Sequence, residues 1–214
     1  MSYPSVVAAA LSGASLRQLS YWRSPRSDEG PLLAPSFYRR GARVSYSFQD
    51  VVALRTFVYL RAKGIPLQRV RKAVRNLRDL GEVDHLSSYK LVAVGKDVVW
   101  RVSDDAAIDL TRSPGNHVIA EMVDILGPFS GLRDRQVVPL RKPKPGLAVD
   151  PEIRGGYPVI EGTRVPYDVV AALVQDGLAP EEVVDFYPSV SPEAAVGARD
   201  FAVYVSEYRD RVPA

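Results

Sequence analysis

The chain has 214 residues, room for one large or two small domains, and its 46% hydrophobic and 25% charged residues are ordinary globular values. With no cysteine, a disulfide framework and a thiolate zinc site are excluded, and neither a membrane-length apolar run nor a signal pattern is present, so a cytoplasmic protein with no membrane partner is expected. The net charge of +3 conceals an asymmetry: residues 1–80 carry 14 Lys+Arg against 4 Asp+Glu, residues 81–150 carry 9 against 10, and residues 151–214 carry 5 against 11. A basic first third attracts polyanions and an acidic last third does not, so the two ends are expected to meet different partners.

Ser5 is a candidate cap for a short helix through Ser12, with Val6, Val7, Ala9, Ala10 and Leu11 buried and Gly13 ending it. Ser15 then caps a second helix. Leu16, Leu19 and Trp22 share one face, and Arg17, Gln18 and Tyr21 share the other. A loop over residues 24–34 leads to an arginine-rich hairpin with Gly41 at its turn. Ser47 and Asp50 form a capping-box-like start to a helix that runs to about Lys63. Pro66 suits the first turn of the next helix, which turns Val70, Val74 and Leu77 inward and Arg69, Lys72, Arg75 and Arg78 outward. The simplest account of that basic stripe is a solvated face.

The period then changes. Leu91–Val94 and Val98–Val102 around Gly95-Lys-Asp97 read as a β-hairpin, and Ala107–Leu110 and His117–Ile125 are candidate further strands. Residues 139–146 form a basic, proline-rich linker that resists helix and sheet. After it come short strands near residues 147–150 and 158–160, then helices over about 166–176, 180–186 and 192–209. The expected fold class is α+β, mainly α. A winged helix-turn-helix occupies residues 1–82, a β-hairpin region 83–138, the linker 139–146, and a small three-helix domain 147–214.

A helix that fits the major groove, beside a basic loop that reaches phosphates, points to double-stranded DNA. The candidate DNA-binding residues are Ser15, Arg17, Gln18, Tyr21 and Arg23 on the helix and Arg39, Arg40 and Arg43 in the wing. Catalysis is not expected. His85 and His117 lie far apart with no carboxylate cluster at ligand spacing, and no nucleophile stands with its base, so no metal or cofactor site is predicted. Gly155, Gly156 and Gly162 lack the phosphate-loop spacing and read better as turns of positive φ. Thr163 and Arg164 can brace that turn, Arg164 through an acid such as Glu152 or Glu161.

Leu16-Arg-Gln-Leu-Ser-Tyr-Trp22, the Leu33-Ala-Pro35 step, Arg43-Val-Ser-Tyr46 and Leu60-Arg-Ala-Lys-Gly-Ile-Pro-Leu67 together resemble the MerR-type winged helix-turn-helix. That resemblance implies a second helix in the major groove and a wing on the backbone. The long dimerising coiled coil and the metal-sensing cysteines of that family are absent. Asp150-Pro-Glu-Ile-Arg-Gly-Gly-Tyr-Pro-Val-Ile-Glu-Gly-Thr-Arg-Val-Pro166, with Asp176–Val183 and Ser191-Pro-Glu193, resembles the domain of unknown function family 433, which implies a small helical, helix-turn-helix-like fold for residues 147–214. The combination is similar to a VapB-type antitoxin, which implies autorepression of an operon and neutralisation of a PIN-domain ribonuclease toxin. The alternative is a one-component MerR-like regulator without a toxin. A homodimer is expected, since one winged helix reads only a few base pairs, and the apolar Val196, Phe201, Val203, Val205 and Tyr208 exceed one buried stripe. For the toxin, Arg135, Arg141 and Lys142 on a flexible strip are candidate contacts, with Arg141 reaching the toxin's metal site.

Overall fold

The computed structural model describes residues 2–25, 30–37, 44–79, 90–94, 97–101, 107–109 and 125–209. Within them the architecture is α+β and mainly α, as the sequence pattern predicts. Strand β1 (Tyr3–Pro4) leads into α1 (Ser5–Ser12). Pro4, not Ser5, takes the cap position, and the Ser5 hydroxyl donates instead to the Val44 carbonyl at 3.3 Å. Gly13 closes the helix at φ 79°, its N–H returning to the Ala9 carbonyl. No larger residue fits there, because a side chain would run into Val137.

Helix α2 (Leu16–Arg23) starts at a full capping box: Gln18 N–H donates to Ser15 Oγ at 3.2 Å, and Ser15 N–H donates to Gln18 Oε1 at 2.8 Å. Strand β2 (Ser45–Tyr46) pairs antiparallel with β1, Tyr3 opposite Tyr46. The same box logic starts α3 (Phe48–Ala62), where Ser47 and Asp50 exchange bonds of 2.7 and 3.0 Å. Asp50 also accepts from Ser36 N–H at 2.9 Å, which fixes the chain leading into the wing. Helix α4 (Leu67–Asp79) follows the Gly64–Pro66 corner and buries Val70, Ala73 and Val74.

Helix α3 is the centre of the molecule. Every residue from Asp50 to Leu60 is buried, the pattern of a helix covered on all sides rather than on one stripe. One of these residues is Arg55, fully buried with no carboxylate partner among the described residues. Its guanidinium donates to the carbonyls of Leu11, Ile125, Gly127 and Val138 and lies 5.0 Å from the Phe129 ring centre. Burial lowers its pKa from the ordinary guanidinium range to about 10, so it stays cationic at neutral pH. Four carbonyl dipoles, one from the C-terminal end of α1, stand in for a counter-ion.

Strands β3 (Lys90–Val94), β4 (Asp97–Arg101) and β5 (Ala107–Asp109) form an antiparallel sheet in that order, and β4 packs on α4 through the buried Val98. Asp97, expected in the turn, belongs to β4 and pairs with Val94. Most of the further strand expected at His117–Ile125 lies outside the described residues. A second hairpin, unanticipated, joins β6 (Phe129–Ser130) to β7 (Gln136–Val137).

At the other end β8 (Leu147–Ala148) pairs with β9 (Val159–Ile160), and α5 (Tyr167–Gln175), α6 (Val183–Phe186) and α7 (Pro192–Ser206) follow. Gly155, Gly156 and Gly162 do adopt positive φ. Thr163 braces their turn, its hydroxyl donating to the Ile160 carbonyl and accepting from Val165 N–H. Glu161 pairs with Lys142 rather than Arg164.

Residues 139–146 are a packed strap, which corrects the expectation of flexibility. Leu140 and Pro143 are buried, and Leu140 N–H donates to the Leu126 carbonyl at 2.8 Å. The Pro145 carbonyl sits in a notch over Gly197 of α7 where no side chain fits. Prolines need no ladder partner, so a small-residue helix face accepts them as irregular backbone. The core is continuous from α1 to α7. Phe201, Val205 and Tyr208 are buried in it and Val196 is half-buried, leaving Val203, 50% exposed, from the set that pointed to a dimer. That apolar excess is used within the chain.

Candidate nucleic-acid interface

Leu19 and Trp22 anchor α2, Trp22 standing edge-on to Phe57 at 5.9 Å. The Trp22 carbonyl accepts from Leu32 and Leu33 N–H, tying the following loop beneath the helix. On the opposite face Arg17 and Tyr21 are exposed and Gln18 is half-buried. Ser15 and Gln18 spend Oγ and Oε1 on the cap. The Arg71 guanidinium of α4 lies 5.5 Å from the Tyr21 ring centre, a cation–π contact that holds the ring across the α2–α4 gap. Arg23 is half-buried beside Tyr46. Burial raises the Tyr46 phenol pKa, and the Arg23 charge opposes that shift. Arg23 is thereby directed to the base of the wing. Phe37 and Ser45 bridge at that base, while Arg39, Arg40 and Arg43 lie outside the described residues.

The exposed face of α2 forms one wall of a cleft of about 1180 Å³. Arg17, Gln18 and Tyr21 share it with Arg61 from the last turn of α3 and with Leu132, Arg133 and Arg135 from the β6–β7 turn. Four arginines line it and, among the described residues, no acid does. Arg61 is steadied by donating to the Ile65 carbonyl at 2.7 Å, and Arg135 by stacking 4.1 Å from the Tyr208 ring centre. The described residues offer no cluster of groups that could hold a metal ion. A concave surface carrying four arginines over an exposed helix suits a polyanion.

The candidates drawn from the sequence include neither Arg61 nor Arg133. The signal for the second was Gly131 between two short β-prone pairs, Phe129-Ser130 and Gln136-Val137, which marks a hairpin. The candidate toxin contacts have partners of their own. Arg135 stacks on Tyr208, Arg141 lies 5.4 Å from the Phe48 ring centre and 3.4 Å from the Val149 carbonyl, and Lys142 pairs with Glu161. None sits on a swinging segment.

A capped helix pair, a small strand pair and a basic outer face define a helix-turn-helix module. Residues 3–77 match the MerR HTH family regulatory proteins, and residues 147–202 match a protein family of unknown function, DUF433. The chain thus carries a MerR-type helix-turn-helix domain at its N-terminal end and a DUF433 domain at its C-terminal end. It is 30% identical over 115 residues to uncharacterized HTH-type transcriptional regulators, Mb1861 of Mycobacterium bovis and Rv1830 of Mycobacterium tuberculosis, covering 52% of this chain and 48% of each relative. The chain therefore spans about half the length of the curated relatives it matches. The crystal structure of Rv2018 from Mycobacterium tuberculosis shares the fold at a TM-score of 0.55 and 14% identity, covering 92% of this chain and 97% of that one. Among the described residues no helix is long and apolar enough to cross a membrane.

Proposed function

We propose that the protein is a transcriptional regulator that binds double-stranded DNA through α2. The cleft along the exposed face of that helix, lined among the described residues by four arginines and no acid, carries the reading. In it Arg17, Gln18 and Tyr21 meet the major groove, and Ser15 and Arg23 flank it at the two ends of α2. Arg39, Arg40 and Arg43 grip the backbone from the wing. Residues 1–82 are the DNA-binding module, 83–138 the middle region, 139–146 the strap and 147–214 the partner-facing domain. Two copies bind two half-sites about one helical turn apart. The test is a titration of the full chain against its own upstream duplex at several salt concentrations. The expected result is tight binding that weakens steeply with salt. A folded chain that binds no duplex at low salt defeats the proposal.

An antitoxin role toward a PIN-domain ribonuclease extends this reading. Its support is the pairing of the two matched domains and the exposed Val169, Val184 and Phe186 on the acidic domain, the last 62% exposed. Such apolar groups on a charged surface suit a protein partner. Co-expression with the ribonuclease encoded nearest the gene decides it. Rescue of growth that is lost in Phe186→Asp supports the role, and no rescue by the wild-type chain removes it.

A further inference from the structure

The β6–β7 turn lies across the cleft from α2, and three observations set it apart. First, Arg133 and Asp134 both take positive φ, 59° and 56°. Two successive left-handed residues are the sign pattern of a type I′ hairpin turn, which normally calls for Asn-Gly. Aspartate tolerates that conformation, but arginine in it is strained. Second, the turn is held rigidly. Gly131 N–H donates to the Arg135 carbonyl at 2.7 Å, and Gln136 Nε2 donates to Ser130 Oγ at 2.8 Å. Phe129 stands edge-on to Tyr59 at 5.2 Å, and Val137 fills the space over Gly13 at the α1–α2 corner. Arg55 grips the carbonyls on both sides of the hairpin, at Gly127 and Val138. Third, the C-terminal domain braces it. Tyr208 stacks on Arg135, and the Tyr204 hydroxyl lies 3.1 Å from the Tyr208 hydroxyl and 3.4 Å from the Gln136 carbonyl.

The strain presents Arg133 exposed on the same cleft as Arg17, and no carboxylate pairs with it among the described residues. We infer that the β6–β7 turn is a third DNA-contacting element, Arg133 binding a backbone phosphate of the duplex whose groove α2 enters. The inference rests on the DNA-binding reading above and adds to it a contact from outside the helix-turn-helix and its wing. Held by Arg55 and Val137, the turn keeps a fixed distance from α2, so it sets register on the backbone without reading bases. Tyr208 makes the C-terminal domain part of that register.

The test uses the full chain, its upstream duplex and an unrelated duplex, with Arg133→Gly and Arg133→Lys. Glycine relieves the left-handed backbone, so the fold survives and Tm is unchanged or higher. Arg133→Gly is expected to bind both duplexes about threefold to tenfold more weakly, with the salt slope reduced by about one, and Arg133→Lys to restore the slope. Unchanged affinity and slope in Arg133→Gly, with tight wild-type binding, overturns the inference and leaves the regulator reading standing. A wild-type chain that binds no duplex overturns that reading and this one with it. Inorganic phosphate, titrated by NMR, separates the phosphodiester from a free anion. Tight, Arg133-dependent phosphate binding alongside Arg133-independent duplex binding makes the cleft a small-anion site and also overturns the inference.

Discussion

Helices α2 and α7 solve opposite problems. Of the residues in α2, only Leu19 and Trp22 are buried, and its ends are held by a capping box and by the loop bonded to the Trp22 carbonyl. Helix α7 buries Ala194, Ala195, Gly197, Ala198, Phe201 and Val205 and takes the strap into a notch of small residues. A helix that invests so little surface in the core leaves its remaining side chains free to meet a ligand. One that invests so much stabilises the whole chain, and through Tyr208 and Arg135 it also supports a wall of the cleft. Stability and binding should therefore separate on α2 and travel together on α7.

The largest effect that bears on this comparison is alkaline. Tyr3, Tyr157, Tyr167 and Tyr204 all have pKa values raised from 10 chiefly by burial, Tyr167 to about 12. A raised folded pKa means the contribution is intact below the unfolded value of 10 and is lost as pH climbs through the folded values. The chain is expected to unfold cooperatively above pH 10, tyrosinate absorbance rising together with loss of helical circular dichroism. Ionisation of all 11 tyrosines while the helix signal holds contradicts the buried aromatic chain.

Next comes Phe201→Ala. The ring is fully buried and lies edge-on to Tyr167 at 4.7 Å, so its loss should cost about 3–5 kcal/mol in denaturant unfolding. Duplex binding should fall with the folded fraction. Arg17→Ala sharpens the contrast, with a stability change within about 0.5 kcal/mol and a loss of about 1–3 kcal/mol in specific duplex binding. Should Arg17→Ala destabilise the fold as well, α2 is not the surface helix described. The smallest effect is Ser15→Ala, about 1 kcal/mol of stability from loss of the Gln18 N–H bond, read from the same denaturant curves.

What the sequence made legible follows the range of the interactions. Ser15, Gly13 and the Ser47/Asp50 box act within a few residues, so their elements appear where the pattern places them. The short strands around Leu147 and Val159 and the helix started by Ser191-Pro192 were readable for the same reason. The Arg55 clamp was not, because its acceptors lie 44, 70, 72 and 83 residues away and nothing nearby marks an arginine as buried. Helix α3 hid it further, since a helix buried all round has no polar stripe against which an inward charge stands out. The strap misled for a related reason. Proline and basic residues suggest a solvated spacer, and only the small residues Ala194 and Gly197, some fifty positions on, reveal the notch that receives it. At the candidate site, the α2 face was legible from its period. The contribution of Arg61 and Arg133 to the same cleft depends on where two distant turns come to rest.

The joining of α1 to α7 bears on how the protein is made. The Tyr204 hydroxyl reaches the Ala10 carbonyl, and the Tyr3 hydroxyl donates to the Gly156 carbonyl. Residues 5–12 leave the ribosome well before residues 192–206, and at ordinary elongation rates the gap is on the order of ten seconds or more. During that interval the Val7–Leu11 surface has no cover from α7, so the nascent chain is a substrate for chaperones and proteases. Stalled nascent chains should show residues 5–12 protected from proteolysis only once residue 206 has emerged, and protection at half-length would mean that α1 folds without its distant partner. If it does not, the supply of folded protein is set by completed synthesis, because any truncated product lacks the α7 cover over α1.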